Sequence, residues 1–576
     1  MKKIYLLFFL AIFLKGSFAQ VSLQWQFDGN TPEESQWIIA DSHDNVYSLG
    51  RNGGLRKYDH FGDTVFYITD TASGFTPAAI AIDSTDHIVI IGNYYESPGS
   101  KVILVQKFDT SGNLIWATSI NTPNGDEEYP TSMTFDQNND IYITGWDGNQ
   151  FFGRYYSAKV NSAGVFQWGN SYDQGQIWDP YFGKDIAVYS PNVIYSTGFV
   201  YENGTTNDMI VIRYDQNGDT VWTRRFSYYH YYGGQWTTED QGRQVETDQY
   251  GNAYVLTTNV DDQINVLIKY DSTGVRQWVK RVNNSPTIIV NMILYEDEIY
   301  MGGNIDPGTG MGLALACKMD LNGNYVFNNT NPFFNVTITD MDRYGKGIVM
   351  TGNSYTCNGC NWDGHTLMFD SIGNNVWNYL MDTQQGMFTD QPYGITSSKT
   401  GGVYVTGNGH GSSYWMNTYK LFPCDKISPS VTHNGTLHSA NFIPGALYTW
   451  RDCANDSIVA SGDELNIYAA PYPGNFEVEI SIGTCSDSTL CNPTNVFSLK
   501  DEIAVSVFPN PATDYFYVNG IQKALCSIYS IDGRYVKSIL AEKKKAVDIS
   551  DLIPGIYILS VPDTDVSRNF RFVKGE

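Results

Sequence analysis

The residues best suited to chemistry in this chain are few and scattered. Six histidines, His43, His60, His87, His230, His365 and His410, share no acidic or nucleophilic partner at a repeated spacing, so neither a triad nor a metal cluster can be assembled from them. Cys357-Asn358-Gly359-Cys360 is a C-x-x-C with His365 close by, but its flanks read as strands and loops, and no second ligand pair stands at zinc spacing. Given the export signal described below, a loop-tip disulfide between Cys357 and Cys360 is the preferred reading. Repeated Asp-x-x-Gly-Asn/Asp turns also offer carboxylates, yet calcium needs several oxygens converging, and one per turn reads as a turn cap. No metal or cofactor is assigned.

Two aromatic insertions remain, Phe151-Phe152-Gly153-Arg154-Tyr155-Tyr156 and Tyr228-Tyr229-His230-Tyr231-Tyr232-Gly233-Gly234-Gln235-Trp236. Aromatic faces suit sugar rings and tyrosine adds a hydroxyl, so Tyr155, Tyr156, Tyr229, His230, Tyr231, Tyr232 and Trp236 are the candidate ligand-binding residues. The plain alternative is that these aromatics pack between repeats. His230 beside Tyr229 or Tyr231 has the groups for acid–base work in a polysaccharide lyase or glycoside hydrolase, but no catalytic residue is assigned.

These residues hang on a repeat. Lys or Arg, then Asp two on, Gly five on and Trp or Phe nine on, begins at Lys57, Lys107, Arg213, Lys269 and Lys318, with further copies that put Asn161 for Asp and Met368 for the cation. The phrase spells a hairpin: a strand ends at the Asp cap, Gly takes the left-handed conformation, and a new strand opens into an aromatic. A second phrase, Tyr or Val with Gly three on, precedes it at Tyr47/Gly50, Val89/Gly92, Tyr142/Gly145, Tyr195/Gly198, Tyr300/Gly303, Val349/Gly352 and Tyr404/Gly407, and Thr257 replaces the glycine after Tyr254. Eight units result, each holding four short strands, as at 131–136, 140–145, 157–161 and 165–172. The fold class is therefore all-β, an eight-bladed β-propeller, with seven blades if one unit lies outside the ring. The last unit stops after its third strand at 414–421, while 23–27 looks like a fourth strand without its first three. Joining them closes the ring and leaves no open edge.

The two phrases resemble the bacterial β-propeller repeats of secreted proteins, over about 21–422. The resemblance implies architecture and leaves activity open, since propellers host binding proteins and enzymes alike.

Acidic residues outnumber basic ones by 61 to 36, a net charge of -25, which excludes nucleic acid and anionic membrane surfaces as natural partners. Residues 1–19 carry Lys2 and Lys3, an apolar run and Ser17-Phe18-Ala19, the pattern of a secretory signal peptide, and no later segment is apolar enough to span a bilayer as a helix.

The repeat region fills 20–423. Beyond it, 424–498 holds Cys424, Cys453, Cys485 and Cys491 among alternating strand patterns, enough for two disulfides of open connectivity. Its segments Tyr448-Thr449-Trp450-Arg451-Asp452-Cys453 and Gly483-Thr484-Cys485-Ser486-Asp487-Ser488 resemble the immunoglobulin-like modules of exported Bacteroidetes proteins. The ordered phrases Val507-Phe508-Pro509-Asn510-Pro511-Ala512, Ile528-Tyr529-Ser530-Ile531-Asp532-Gly533-Arg534, Pro554-Gly555-Ile556-Tyr557 and Phe570-Arg571-Phe572-Val573-Lys574 resemble the type A sorting domain of the type IX secretion system, over 503–576. Both resemblances imply small β-sandwiches. The second implies the type IX machinery as partner and delivery to the outer-membrane surface or beyond. The sequence thus points to an exported, non-enzymatic propeller that binds a glycan or protein, with a carbohydrate-active enzyme using the aromatic insertions as the alternative.

Overall fold

The computed structural model describes residues 21–489 and 506–575, apart from stretches between strands. Residues 1–20, Tyr229, Cys357, Cys360, Cys424 and Cys491 lie outside the described residues. The chain separates into two compact units, Met1–Cys491 and Asn492–Glu576.

Between Val21 and Pro423 the first unit contains eight four-stranded antiparallel sheets, besides one short hairpin. Sheet 1 begins with the strand Ser35–Ala40, and sheets 2 to 8 begin with Thr76–Ile82, Glu128–Phe135, Tyr181–Ser190, Asp240–Thr247, Thr287–Tyr295, Asn335–Tyr344 and Gln391–Ser397. Each sheet is made of consecutive strands except the eighth, whose outer strand is Val21–Asp28, paired with Tyr414–Pro423 so that Gln26 faces Tyr419. The apolar clusters fall between neighbouring sheets. Tyr195 and Val211 of sheet 4 join Val245 and Val266 of sheet 5, and Trp377 of sheet 7 joins Val405 and Leu421 of sheet 8. Ile38 and Val46 of sheet 1 meet Tyr404 of sheet 8, so the circuit closes. This is a β-propeller.

Both sequence phrases have a physical reason. The turn Asp accepts backbone N–H donors: Asp109 Oδ1 takes those of Ser111 and Asn113, and Gly112 sits at φ 85°. The aromatic at the ninth place lies over the turn glycine of the next sheet. Trp222 Nε1 donates to the Ser272 carbonyl at 3.1 Å above Gly274, Trp168 does the same to Gln216 above Gly218, and Trp25 does so to His60 above Gly62. The lysine of the first phrase and the tyrosine of the second meet a buried carboxylate, as where Lys269 Nζ and the Tyr254 hydroxyl both approach Asp248 Oδ2, at 3.7 and 3.0 Å.

The glycine of the second phrase answers a β-bulge. All eight first strands share a register shift, between Ser35/Trp37, Pro77/Ala79, Pro130/Ser132, Gly183/Asp185, Gly242/Gln244, Ile289/Asn291, Ile338/Asp340 and Pro392/Gly394, and that of sheet 4 has a second at Val188/Ser190. The residue before each bulge faces the phrase glycine. A side chain at Gly198 would place Cβ 1.8 Å from the Phe182 carbonyl oxygen, and one at Gly145 would place it 2.1 Å from that of Tyr129. In sheet 5 the glycine has changed strands: Thr257 stands on the second strand and Gly242 faces it.

Past Pro423 the first unit adds a three-stranded sheet and a four-stranded sheet around Tyr448, Trp450, Phe476 and Val478, and Phe422 of the propeller enters that core. Cys453 follows the strand Leu447–Asp452 and Cys485 opens Cys485–Ser488; both are disulfide-bonded, and the free thiols among the described residues are the buried Cys317 and Cys526. The second unit pairs a three-stranded with a four-stranded sheet around Phe516, Ile528, Leu559 and Phe572.

Candidate binding site

A bulge turns its strand and re-aims side chains, and the bulges stand at the same place in each first strand, opposite the second-phrase position. The residues following the bulges are Trp37, Ala79, Ser132, Asp185, Gln244, Asn291, Asp340 and Gly394, and the bulged residues include Thr131, Lys184, Arg243, Val290 and Thr339. Most of these line one pocket of about 740 Å³, where Trp37, Thr131, Ser132, Lys184, Asp185, Arg243, Gln244 and Thr339 meet Thr258, Val260 and Gln263 from sheet 5.

Below the mouth, hydrogen bonds link sheet to sheet. Ser132 Oγ donates to Asp185 Oδ1 at 2.7 Å, and Asp185 Oδ2 accepts from the Val245 N–H at 2.9 Å. Gln244 Nε2 donates to Asn291 Oδ1 at 2.7 Å, whose Nδ2 donates to the Met341 carbonyl at 2.9 Å. The Ile395 N–H donates to Asp340 Oδ2 at 3.0 Å. The belt thus runs through sheets 3 to 8, while sheets 1 and 2 contribute Trp37 and Ala79.

Burial governs the electrostatics. It raises the Asp185 carboxyl to about 6 against hydrogen bonds that pull it down, and Asp340 to about 7. Glu246, one turn of the pleat beyond Gln244, is pushed to about 8 by burial and then by the Asp185 charge. Lys184 is lowered by burial and by Arg243, and Arg243 is lowered by burial.

The aromatic candidates divide. Tyr155 and Tyr156 are corrected: they lie on Arg154–Val160, with 0% and 3% exposure, and Tyr155 donates or accepts with Ser196 Oγ at 2.6 Å in the cluster between sheets 3 and 4. Packing between blades takes both faces and leaves none for a ligand. His230, Tyr231, Tyr232 and Trp236 lie on a hairpin, His230–Tyr232 against Gln235–Thr237, with Tyr231 opposite Trp236. That hairpin sits in the connection leading to Asp240, where the strand bearing Arg243, Gln244 and Glu246 begins. His365 is buried and lowered to about 4 by that burial, and Lys184, Asp185, Arg243 and Gln244 were not singled out from sequence. Their signal was charge at first-strand positions, Gly183-Lys184-Asp185 and Gly242-Arg243-Gln244, where other units carry Ala78-Ala79 or Val290.

Fold and pocket together define a β-propeller with a polar axial site. Residues 506–574 match the family described as Secretion system C-terminal sorting domain; this type IX sorting tail implies export and a secreted or cell-surface location. Among solved structures the chain is similar to BamB from Moraxella catarrhalis at 11% identity and TM-score 0.44, covering 70% of this chain and 100% of that one. It is also similar to the Dos1 propeller, at 10% identity and TM-score 0.44 over 69% and 95%, and to polysaccharide lyase Uly1, at 11% and 0.38 over 70% and 99%. These likenesses bear on neither ligand nor chemistry. No curated protein sequence matches the chain, and no helix among the described residues is long and apolar enough to cross a membrane.

Proposed function

We propose that this is an exported binding protein, carried by the type IX machinery through residues 503–576, whose axial pocket takes a glycan. The observation that carries the reading is the pocket's lining: one aromatic face, Trp37, among hydroxyl, amide and charged groups, the mix that holds a sugar ring. The hairpin that carries His230, Tyr231, Tyr232 and Trp236 precedes the same strand in the chain. A glycan array probed with the purified chain tests the reading, and absence of binding to every glycan would overturn it.

A second reading, a carbohydrate-active enzyme, is favoured by Asp185, whose value near 6 lies in the range of a general acid or base. Against it, both Asp185 oxygens already accept hydrogen bonds within the belt. New reducing ends or unsaturated products from algal or plant polysaccharides would establish the enzyme; unchanged polysaccharide supports binding alone.

A further inference from the structure

The lysines of the first phrase face carboxylates. Lys107 Nζ lies 2.7 Å from Asp83, Lys159 2.8 Å from Asp140 and Lys318 2.7 Å from Glu298. Lys184 and Arg243 depart from that rule. They occupy the bulged position of adjacent sheets, both line the axial pocket, and neither has an ion-pair partner among the described residues. The charge that Lys184 feels is that of Arg243, and it is repulsive. Lys184 Nζ lies over the Phe199 ring at 5.5 Å, and the Asp185 carboxyl in the same lining is already engaged by Ser132 and Val245, so two like charges share a pocket with room for an added anion.

A second observation lies next to them. Gln244 Oε1 is buried and accepts from no donor among the described residues, although its Nε2 is engaged by Asn291. A buried acceptor left without a donor is unfavourable unless a ligand supplies the proton. Polyhydroxy compounds supply such protons, and a planar acidic group matches the fork of an arginine.

We propose that the pocket selects an acidic oligosaccharide, its carboxylate or sulfate seated between Lys184 and Arg243 and one hydroxyl donating to Gln244 Oε1. This rests on the glycan-binding reading and names its substrate class. With a chain charge of -25 repelling polyanions at long range, recognition is local. It is confined to the one acidic sugar unit held in the pocket rather than spread along a polymer.

Titration calorimetry of the full chain tests this with oligogalacturonate, its methyl ester, and a sulfated galactan oligosaccharide with its unsulfated parent. The acidic member of at least one pair is expected to bind about tenfold or more tightly than its neutral counterpart. Which pair shows the difference assigns carboxylate or sulfate. Lys184→Met and Arg243→Met should each remove that preference, while Arg243→Lys restores part of it, a rescue that misfolding would not give. Equal binding of neutral and acidic members, or wild-type preference in both Met variants, overturns the inference but leaves glycan binding standing. Failure of all four sugars to bind, with a silent glycan array, overturns both.

Discussion

Replacing Glu246 by Gln should change stability in a way that depends on pH. The carboxyl is pushed from an ordinary 4.5 to about 8, first by burial and then by the Asp185 charge. A folded state that holds its proton more tightly than the unfolded chain is most stable at low pH. That contribution falls as pH climbs from about 4.5 to about 8 and is then fully lost. At about 1.4 kcal/mol per tenfold, the ionised carboxylate costs up to about 5 kcal/mol, and because Glu246 is only half-buried, solvent screens this to about 2 kcal/mol. Glutamine has the same shape without the charge. Glu246→Gln should therefore match the wild type at pH 4 to 5 and exceed it by about 2 kcal/mol at pH 9, or about 2 °C in midpoint for a domain of this size. Differential scanning calorimetry at both pH values reads this directly. An equal gain at pH 5 and pH 9 would mean altered packing, and a loss at pH 9 would show that the carboxylate has a partner; either result refutes the reasoning.

Other perturbations probe the frame and its delivery. Gly198→Ala, whose Cβ would meet the Phe182 carbonyl at 1.8 Å, should destabilise the propeller by about 3 kcal/mol or prevent folding, whereas Gly462→Ala, with its nearest neighbour at 3.6 Å, should be near neutral in the same melt. Trp222→Ala should lose about 3–5 kcal/mol, and Trp222→Phe about 1 kcal/mol for the bond to Ser272, by denaturant titration. Cys485 Sγ lies 3.7 Å from the Phe422 carbonyl, two residues before Cys424, so peptide mapping of the non-reduced protein should recover a Cys424–Cys485 bridge; a Cys424–Cys453 pair would refute that connectivity. Deleting 503–576 should leave the protein in the periplasm on fractionation, and surface display of the truncated chain would refute the role given to the tail.

The ring was legible because its determinants are local and repeated. A turn needs its Asp and its left-handed Gly wherever it occurs, and the orphan strand at 23–27 matched an eighth unit lacking its fourth. The tyrosine and lysine of the two phrases read as strand residues, and their shared carboxylate at Asp248 or Asp41 became evident only once strands were paired. The pocket was not legible for a related reason. Lys184, Asp185, Arg243 and Gln244 come from two units 59 residues apart by number, and only bulges, invisible in composition, bring them to one pocket. Tyr155 and Tyr156 misled because aromatics that bind sugars and aromatics that fill a seam share the same chemistry, and neighbouring strands alone decide which they do.

The pairing of Val21–Asp28 with Tyr414–Pro423 couples the first-made segment of the propeller to its last. Until residue 423 has been delivered, the strand Val21–Asp28 has no ladder to pair with and the eighth sheet is incomplete. Closure of so long a loop is a late, slow event in folding, since its entropy must be met before the contacts that reward it exist. The unclosed chain is therefore kept pliable by its own topology, and completion of the circle acts as the latch that ends its pliable life.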